Sequence, residues 1–221
     1  MKQLAFVFLC GFSSIFCMET GSSSTHVVSA SDTGFLLDSQ EHQEIPPEAQ
    51  QLMLEIILQD GIQLKFLQEW KDVFNINTAS ERRKTTVIHT ALGYIAVELI
   101  NYPNNKSSQT TYTTICDLFT SKINFDLKLS SNGYTPLMFF IYMLIGQYTS
   151  LSDIKSIDNK PIEIFLSNFI RKNKINFTIK NNDNKTVFDL CCPRNDDTVK
   201  LHRAKLEVGK FLLAVYLQNK K

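Results

Sequence analysis

Apolar residues recur at helical spacing along the second half of the chain. Residues 161–172 carry five of them three or four positions apart, which predicts an amphipathic helix: Ile162, Phe165, Leu166, Phe169 and Ile170. Residues 198–217 repeat this spacing, with charged side chains on the opposite face, and predict a longer, more soluble final helix. Residues 136–145 are apolar on nearly every side, so we expect this helix to lie between neighbouring helices.

Two further helices are predicted before residue 77. Pro46 and Pro47 are typical of a helix start, and Asp60-Gly61 of a helix end. A second helix is predicted after Gly61, on apolar residues at helical spacing: Ile62, Phe66, Leu67, Trp70 and Phe74. We expect the two helices to form a pair.

The N-terminal segment has a different pattern. Lys2 precedes a largely apolar run over residues 4–16, which is shorter than the roughly 20 residues that span a bilayer. This layout predicts a secretory signal peptide over residues 1–17, with a buried helix or an uncleaved anchor as the alternative. Residues 18–44 are rich in Ser and Thr and predict a flexible spacer. The protein is therefore expected to be secreted or periplasmic.

Three stretches of the chain resemble one another. Each places a Thr before two apolar residues and a helix-like run: residues 84–91 (KTTVIHTA), 133–140 (GYTPLMFF) and 184–191 (NKTVFDLC). A second signal precedes each copy: residues 74–77 (FNIN), 123–128 (INFDLK) and 175–180 (INFTIK). Recurrence about every 50 residues predicts a repeat architecture. Only Gly133 keeps a glycine before its Thr, and the other copies replace it with Lys84 or Thr85 and with Asn184 or Lys185.

This pattern resembles the ankyrin repeat, in which a Gly-x-Thr-Pro-Leu-His-x-Ala stretch opens the first helix of a pair. Residues 133–138 match it best, His89 keeps the family's His, and Asp189 is similar to the variant with Asp in its place. The period of about 50 departs from the 33 usual for ankyrin. Polar insertions between paired helices, at residues 102–110 and 148–160, account for the extra length.

The resemblance implies an all-α fold, an ankyrin-like helical solenoid of about four stacked helix pairs with insertions between paired helices. It also implies a structural role for His89, bonding the neighbouring turn and the Thr of its own motif. The repeat domain would cover residues 45–219, divided into an N-terminal cap (45–77), two repeats (78–128 and 129–180) and a C-terminal repeat and cap (181–219).

Composition and motifs narrow the function. The chain has 221 residues, 43% of them hydrophobic, and a net charge of +1, which gives no general attraction to nucleic acid. Only 8 Gly disfavour folds built on glycine-rich phosphate loops. We find no GxSxG, HExxH or CxxC motif, so we predict no catalytic residue, no cofactor and no metal.

The cysteines leave two questions open. Cys116 can pair with Cys191 or Cys192 only if the fold brings them together, and such residues are more often small buried apolar side chains. Cys116 and His89 could form a nucleophile–base pair, but two residues facing the interior of a repeat is the favoured interpretation.

The turns before the three Thr residues are the predicted binding sites. Ankyrin-like proteins bind protein partners through these turns and through the concave face of the inner helices. The resemblance therefore implies an exported, non-enzymatic interaction module, monomeric and without stable membrane insertion once its signal is removed. Exported ankyrin-like proteins of host-associated bacteria often act on host proteins. The predicted partner-binding residues are Arg82, Arg83, Lys84, Asn132, Tyr134, Asp183 and Lys185.

Several alternatives stay open at this point. The charged run at residues 81–84 is also typical of a solvated turn, and Tyr134 can instead pack on the next turn. The chain can instead be a structural protein of the envelope or periplasm. It can also be an enzyme with its site in the two insertions, although Asp153 and Asp158 are their only acidic residues and they contain no His, Cys or Glu.

Overall fold

A computed structural model describes residues 45–151 and 158–219 of the chain. Within these residues the fold is all-α, as predicted, with eight helices and no strand. The helices are α1 (Pro47–Ile57), α2 (Leu64–Trp70), α3 (Val87–Asn101), α4 (Ser107–Leu118), α5 (Pro136–Ser150), α6 (Lys160–Asn173), α7 (Val187–Leu190) and α8 (Val199–Asn219). The predicted signal peptide (1–17) and spacer (18–44) lie outside the described residues.

Three helices begin at a threonine that caps them. The hydroxyls of Thr86, Thr135 and Thr186 each accept a hydrogen bond from the backbone N–H three residues on, at the starts of α3, α5 and α7. This bond satisfies one of the amides that the first helical turn leaves without a partner. Pro136 follows Thr135 at a position where its missing N–H is not needed. The helix starts predicted at these threonines are confirmed.

A second local structure recurs just before these helix starts. The side-chain oxygens of Asn75, Asn124 and Asn176 each accept a hydrogen bond from the backbone N–H two residues on, which forms an Asx turn. The first two of these turns also bond to each other. Asn77 donates its side-chain amide to the Lys122 carbonyl (2.8 Å), and its Oδ1 accepts from the Asn124 N–H (2.8 Å). Consecutive turns are thereby held side by side.

α3 and α5 lie at the centre of the fold and run parallel. The ring of His89 packs edge-on against Phe139 near their first turns, and Asn101 donates to Gln147 (3.0 Å) near their last. α5 also packs against α7 and α8, and α3 against α4. Because both helices have neighbours on several sides, their apolar residues form much of the single buried core.

The outer helices α4 and α6 meet through aromatic side chains. Tyr112 of α4 lies against Phe165 and Phe169 of α6, and its hydroxyl accepts a hydrogen bond from Asn173 (3.2 Å). The amphipathic pattern predicted for residues 161–172 is confirmed, since all five of its apolar residues are buried in α6.

Several helix boundaries differ from the predictions. α4 begins at Ser107 and α5 ends at Ser150, so each reaches into a predicted insertion. Part of the long repeat period is therefore helix, and α3 and α5 have 15 residues each. α2 is only seven residues long, which leaves Ile62 and Phe74 outside it. Phe74 is nevertheless part of the buried core, and its N–H donates to the Trp70 carbonyl (2.7 Å) at the end of α2.

Candidate functional site

The three predicted binding turns share one backbone conformation. Lys84, Gly133 and Asn184 have φ angles of 55°, 71° and 61°, and each lies two residues before a capping threonine. This left-handed conformation costs glycine little, is tolerated by asparagine and strains lysine. From the sequence, either Lys84 or Thr85, and either Asn184 or Lys185, could occupy the position of the turn glycine. The structure shows that Lys84 and Asn184 occupy it.

The second and third turns lie against each other. The N–H of Asn182 donates to the Asn132 carbonyl (3.1 Å), and its side-chain amide donates to the Ser130 carbonyl (3.3 Å). A Cβ added at Gly133 would lie only 2.5 Å from the backbone nitrogen of Asn182. Gly133 is therefore required twice, for its backbone conformation and for the close approach of the next turn.

His89 links the start of α3 to the second turn. Its side chain is fully buried, its Nδ1 lies 2.8 Å from the Thr86 hydroxyl, and its Nε2 lies 3.2 Å from the Tyr134 carbonyl. Because a carbonyl only accepts, Nε2 carries the proton and donates, while Nδ1 accepts from the hydroxyl. These are the bonds that the resemblance implied for His89.

Burial also fixes the charge of His89. Desolvation lowers its pKa from 6.5 to about 4, although the hydrogen bond to the Tyr134 carbonyl raises it. The imidazole is therefore neutral near pH 7, with both nitrogens engaged in structural bonds. Burial raises the pKa of the Cys116 thiol, and Cys116, Cys191 and Cys192 are all free thiols. Neither the nucleophile–base pair nor a disulfide is present among the described residues.

The basic residues of the first turn are not equivalent. Arg82, Arg83 and Lys84 are all exposed. The guanidinium of Arg83 lies 3.8 Å from the Glu55 carboxylate and donates to the Gln59 carbonyl (3.4 Å), so it anchors the turn to α1. Arg82 lines a recess of about 210 Å³ beside this pair. Of the two arginines, Arg82 is thus the one more available to a partner.

The predicted residues of the other two turns are also partly engaged. Asn132 accepts a hydrogen bond from the Tyr134 N–H (2.9 Å), which shapes its own turn. Tyr134, for which partner contact and packing on the next turn were both left open, is half-buried because its ring packs on Tyr142 of α5. Asp183 is exposed and lies 3.7 Å from the half-buried ammonium of Lys185. An exposed ion pair of this kind contributes little stability, so both groups can be redirected to a partner.

One side of α3 and α5 is exposed, and the sequence singled out none of its residues, although the resemblance implied binding on a face of the inner helices as well as at the turns. Tyr94 is 42% exposed and Tyr142 is 53% exposed, and we call these residues, with Tyr134, the tyrosine face. The other residues of α3 and α5 that reach the surface are uncharged: Thr90, Val97, Asn101, Phe139, Met143, Gly146, Gln147, Thr149 and Ser150. The nearly uninterrupted apolar run of α5 concealed this surface, because burial on all sides was expected there.

The only carboxylate in these two helices is directed inward. Glu98 is 5% exposed, and its Oε2 accepts a hydrogen bond from the Ser108 N–H (2.8 Å) in the first turn of α4. A carboxylate is favourable there because of the positive end of the helix dipole. Its Oε1 is buried without a hydrogen-bond partner. Glu98 therefore joins α3 to α4 and leaves the tyrosine face without charge.

A groove of about 360 Å³ lies between the C-terminal ends of α4 and α6, beside Cys116, Phe125 and Lys172. No group of three His, Cys, Asp or Glu residues in residues 45–151 and 158–219 is placed to hold a metal ion. None of the described helices is long and apolar enough to cross a membrane.

Comparisons with family models, with curated proteins and with solved structures find no match for the chain.

Proposed function

We propose that the chain is an ankyrin-like solenoid that binds another protein and catalyses no reaction. The observation that carries this proposal is the tyrosine face, an uncharged surface on two parallel helices with the binding turns at their starts. Tyrosine is enriched at the energetic centres of protein interfaces, and charged residues are depleted there. Three Thr caps, three left-handed turn residues and three Asx turns in the same order support a stack of equivalent units.

The proposed partner lies across α3 and α5, with its central contacts on Tyr94 and Tyr142. These rings offer a large apolar area and a hydroxyl at small cost in side-chain entropy. Arg82 and the Asp183–Lys185 pair would form the polar rim. Contacts at a rim usually contribute less than contacts at the centre, so the tyrosines should dominate affinity.

Affinity capture with matched variants tests this proposal. Double replacement of Tyr94→Ser and Tyr142→Ser should remove a bound protein that wild type captures. The melting temperature should fall only slightly, because both side chains are largely exposed and only the contact of Tyr142 with Tyr134 is lost. Tyr102→Ser is the control, because Tyr102 is 64% exposed but lies after the end of α3. A protein captured equally by wild type, the double variant and the control would contradict binding at this face.

Two further parts of the proposal have their own tests. A broad hydrolase screen should show no activity, and an activity that a single substitution abolishes would contradict a purely binding role. We also propose export, on the strength of the apolar run at residues 4–16, which lies outside the described residues. Fractionation of the producing cells, with sequencing of the mature N-terminus, tests export independently of partner binding.

A further inference from the structure

The final helix, α8, has two apolar faces. One is the buried face that packs on the core: Ala204, Val208, Phe211, Leu212 and Val215. The other is a row of four exposed aliphatic side chains that we call the α8 stripe: Val199 (70% exposed), Leu206 (44%), Leu213 (49%) and Leu217 (54%). The sequence pattern predicted a soluble outer face here, so these four residues are unexplained by the packing of the domain.

The α8 stripe is straight and narrow. At about 100° per residue, its four members lie within an arc of roughly 40° on the side of the helix opposite the buried face. Val199, Leu206 and Leu213 are spaced by seven residues, the spacing at which one helix packs lengthwise against another. The stripe therefore has the geometry of a seam for a second helix.

The exposed charged side chains of α8 are all cationic. Lys200, Arg203 and Lys210 are exposed on α8, whereas its one acidic residue, Glu207, is half-buried and lies 2.7 Å from the Lys210 ammonium. A partner with acidic groups beside its apolar seam would be attracted to this surface. A second copy of the chain would instead bring two sets of cations together.

We propose that the α8 stripe binds an amphipathic helix of another protein, with an aliphatic seam on the stripe and acidic residues facing Arg203 and Lys210. Such a helix is recognised through anchors spaced by three, four or seven residues. This surface is on a different helix from the tyrosine face, so the two proposals stand or fall separately.

Two designed helical peptides with the same leucine seam provide the test, one flanked by Glu and the other by Lys. The full chain should bind the Glu-flanked peptide at least about tenfold more tightly, and more weakly as salt increases. Double replacement of Leu206→Ser and Leu213→Ser should reduce this binding about tenfold or more. Ile164→Ser on α6 is the matched control, because Ile164 is exposed to a similar extent (53%) and lies outside the stripe.

Charge reversal sharpens the test. Arg203→Glu with Lys210→Glu should make the chain prefer the Lys-flanked peptide. Melting temperatures should stay near that of wild type, because Arg203 is exposed and the ion pair that Lys210 forms with Glu207 lies at the surface and contributes little. Equal binding of the two peptides by wild type, or binding that survives the double leucine replacement, would overturn the proposal. So would self-association in sedimentation, or co-sedimentation with phosphatidylserine vesicles, that the leucine replacements abolish, since these assign the stripe to a second copy or to a membrane.

Discussion

The starts of α3 and α7 follow one pattern but differ in their connections. Thr86 and Thr186 cap these helices in the same way. Three residues on, the buried His89 bonds outward to the Tyr134 carbonyl of the following turn. Asp189 is exposed instead, and its carboxylate bonds back to the N–H and hydroxyl of Thr186 (2.8 Å each).

This difference reflects what surrounds each helix start. At α3 the next turn brings a carbonyl that needs a buried donor, and a neutral imidazole supplies one while its other nitrogen accepts. A buried carboxylate could only accept and would carry an unpaired charge. At α7 the side chain faces solvent, where a charged cap is stable, and the bonds from Thr186 lower the pKa of the Asp189 carboxyl. The residue three positions after the capping threonine thus links α3 to the following turn in one case, and only reinforces the cap of its own helix in the other.

The largest effect is expected at the central helix. Leu137→Asp would place an unpaired charge where the side chain is 2% exposed, at a cost above about 4 kcal/mol, enough to abolish a cooperative melt. The same replacement of Phe188, at the equivalent position of α7, should cost only about 1–3 kcal/mol because its ring is partly exposed. Thermal unfolding by circular dichroism measures both. Equal losses would mean that the two positions are not equivalent in the way we describe.

A pH dependence should distinguish His89 from Asp189. The pKa of His89 is about 4 when folded and 6.5 in its ordinary state, so the unfolded chain binds this proton more readily. Its contribution to stability is therefore complete above pH 6.5 and falls as the pH drops towards 4, by up to about 3 kcal/mol. Urea unfolding at several pH values in this window measures it.

His89→Gln is the control for that experiment, since it cannot titrate. The variant should be less stable at pH 7 but should have a flatter pH dependence than wild type between pH 4 and 6.5. Asp189→Asn should leave the profile in this window nearly unchanged, because the lowered pKa of Asp189 places its effect at lower pH. Parallel profiles for wild type and His89→Gln would contradict the assigned neutral, buried imidazole.

Removing the glycine of the second turn and introducing one in the first should change the free energy of unfolding in opposite directions. Gly133→Ala should destabilise the fold by about 2 kcal/mol, because alanine is strained at φ 71° and its Cβ meets Asn182. Lys84→Gly should stabilise it by about 0.5 kcal/mol, because the strain of an exposed lysine at φ 55° is relieved. Paired urea titrations measure both changes. If Lys84→Gly is destabilising, the first turn does not share the conformation of the second.

The smallest loss of stability is expected at the start of α7. Asp189→Ala removes the reciprocal half of the Thr186 cap and should cost about 0.5–1 kcal/mol. The helix it caps has four residues, so circular dichroism should change little at wavelengths that report helix. Chemical denaturation can measure the loss, and Asp126→Ala is the matched control, because Asp126 is an exposed aspartate outside any helix. A cost as large as that of His89→Gln would remove the contrast between the two sites.

Local chemistry explains which features were predictable. The threonine caps, the five buried residues of α6 and the repeating order of the segments depend on contacts within a few residues, so they could be inferred before the fold was known. The bonds of His89 could be expected only through the ankyrin resemblance. The roles of the turn residues could not be predicted without the tertiary contacts, since Arg83 is anchored to Glu55 and Tyr134 packs on Tyr142.

The sequence by itself determined that this protein is helical, where its capped helices begin and that its segments recur. The tertiary structure decided which residues take the left-handed turns and which apolar side chains stay exposed. The reason is physical: caps and helical periodicity are set by bonds along the chain, whereas burial is set by whichever helix lies alongside. That is why Tyr142, within a helix that is apolar on nearly every side, could not be distinguished from core residues until its neighbours were known.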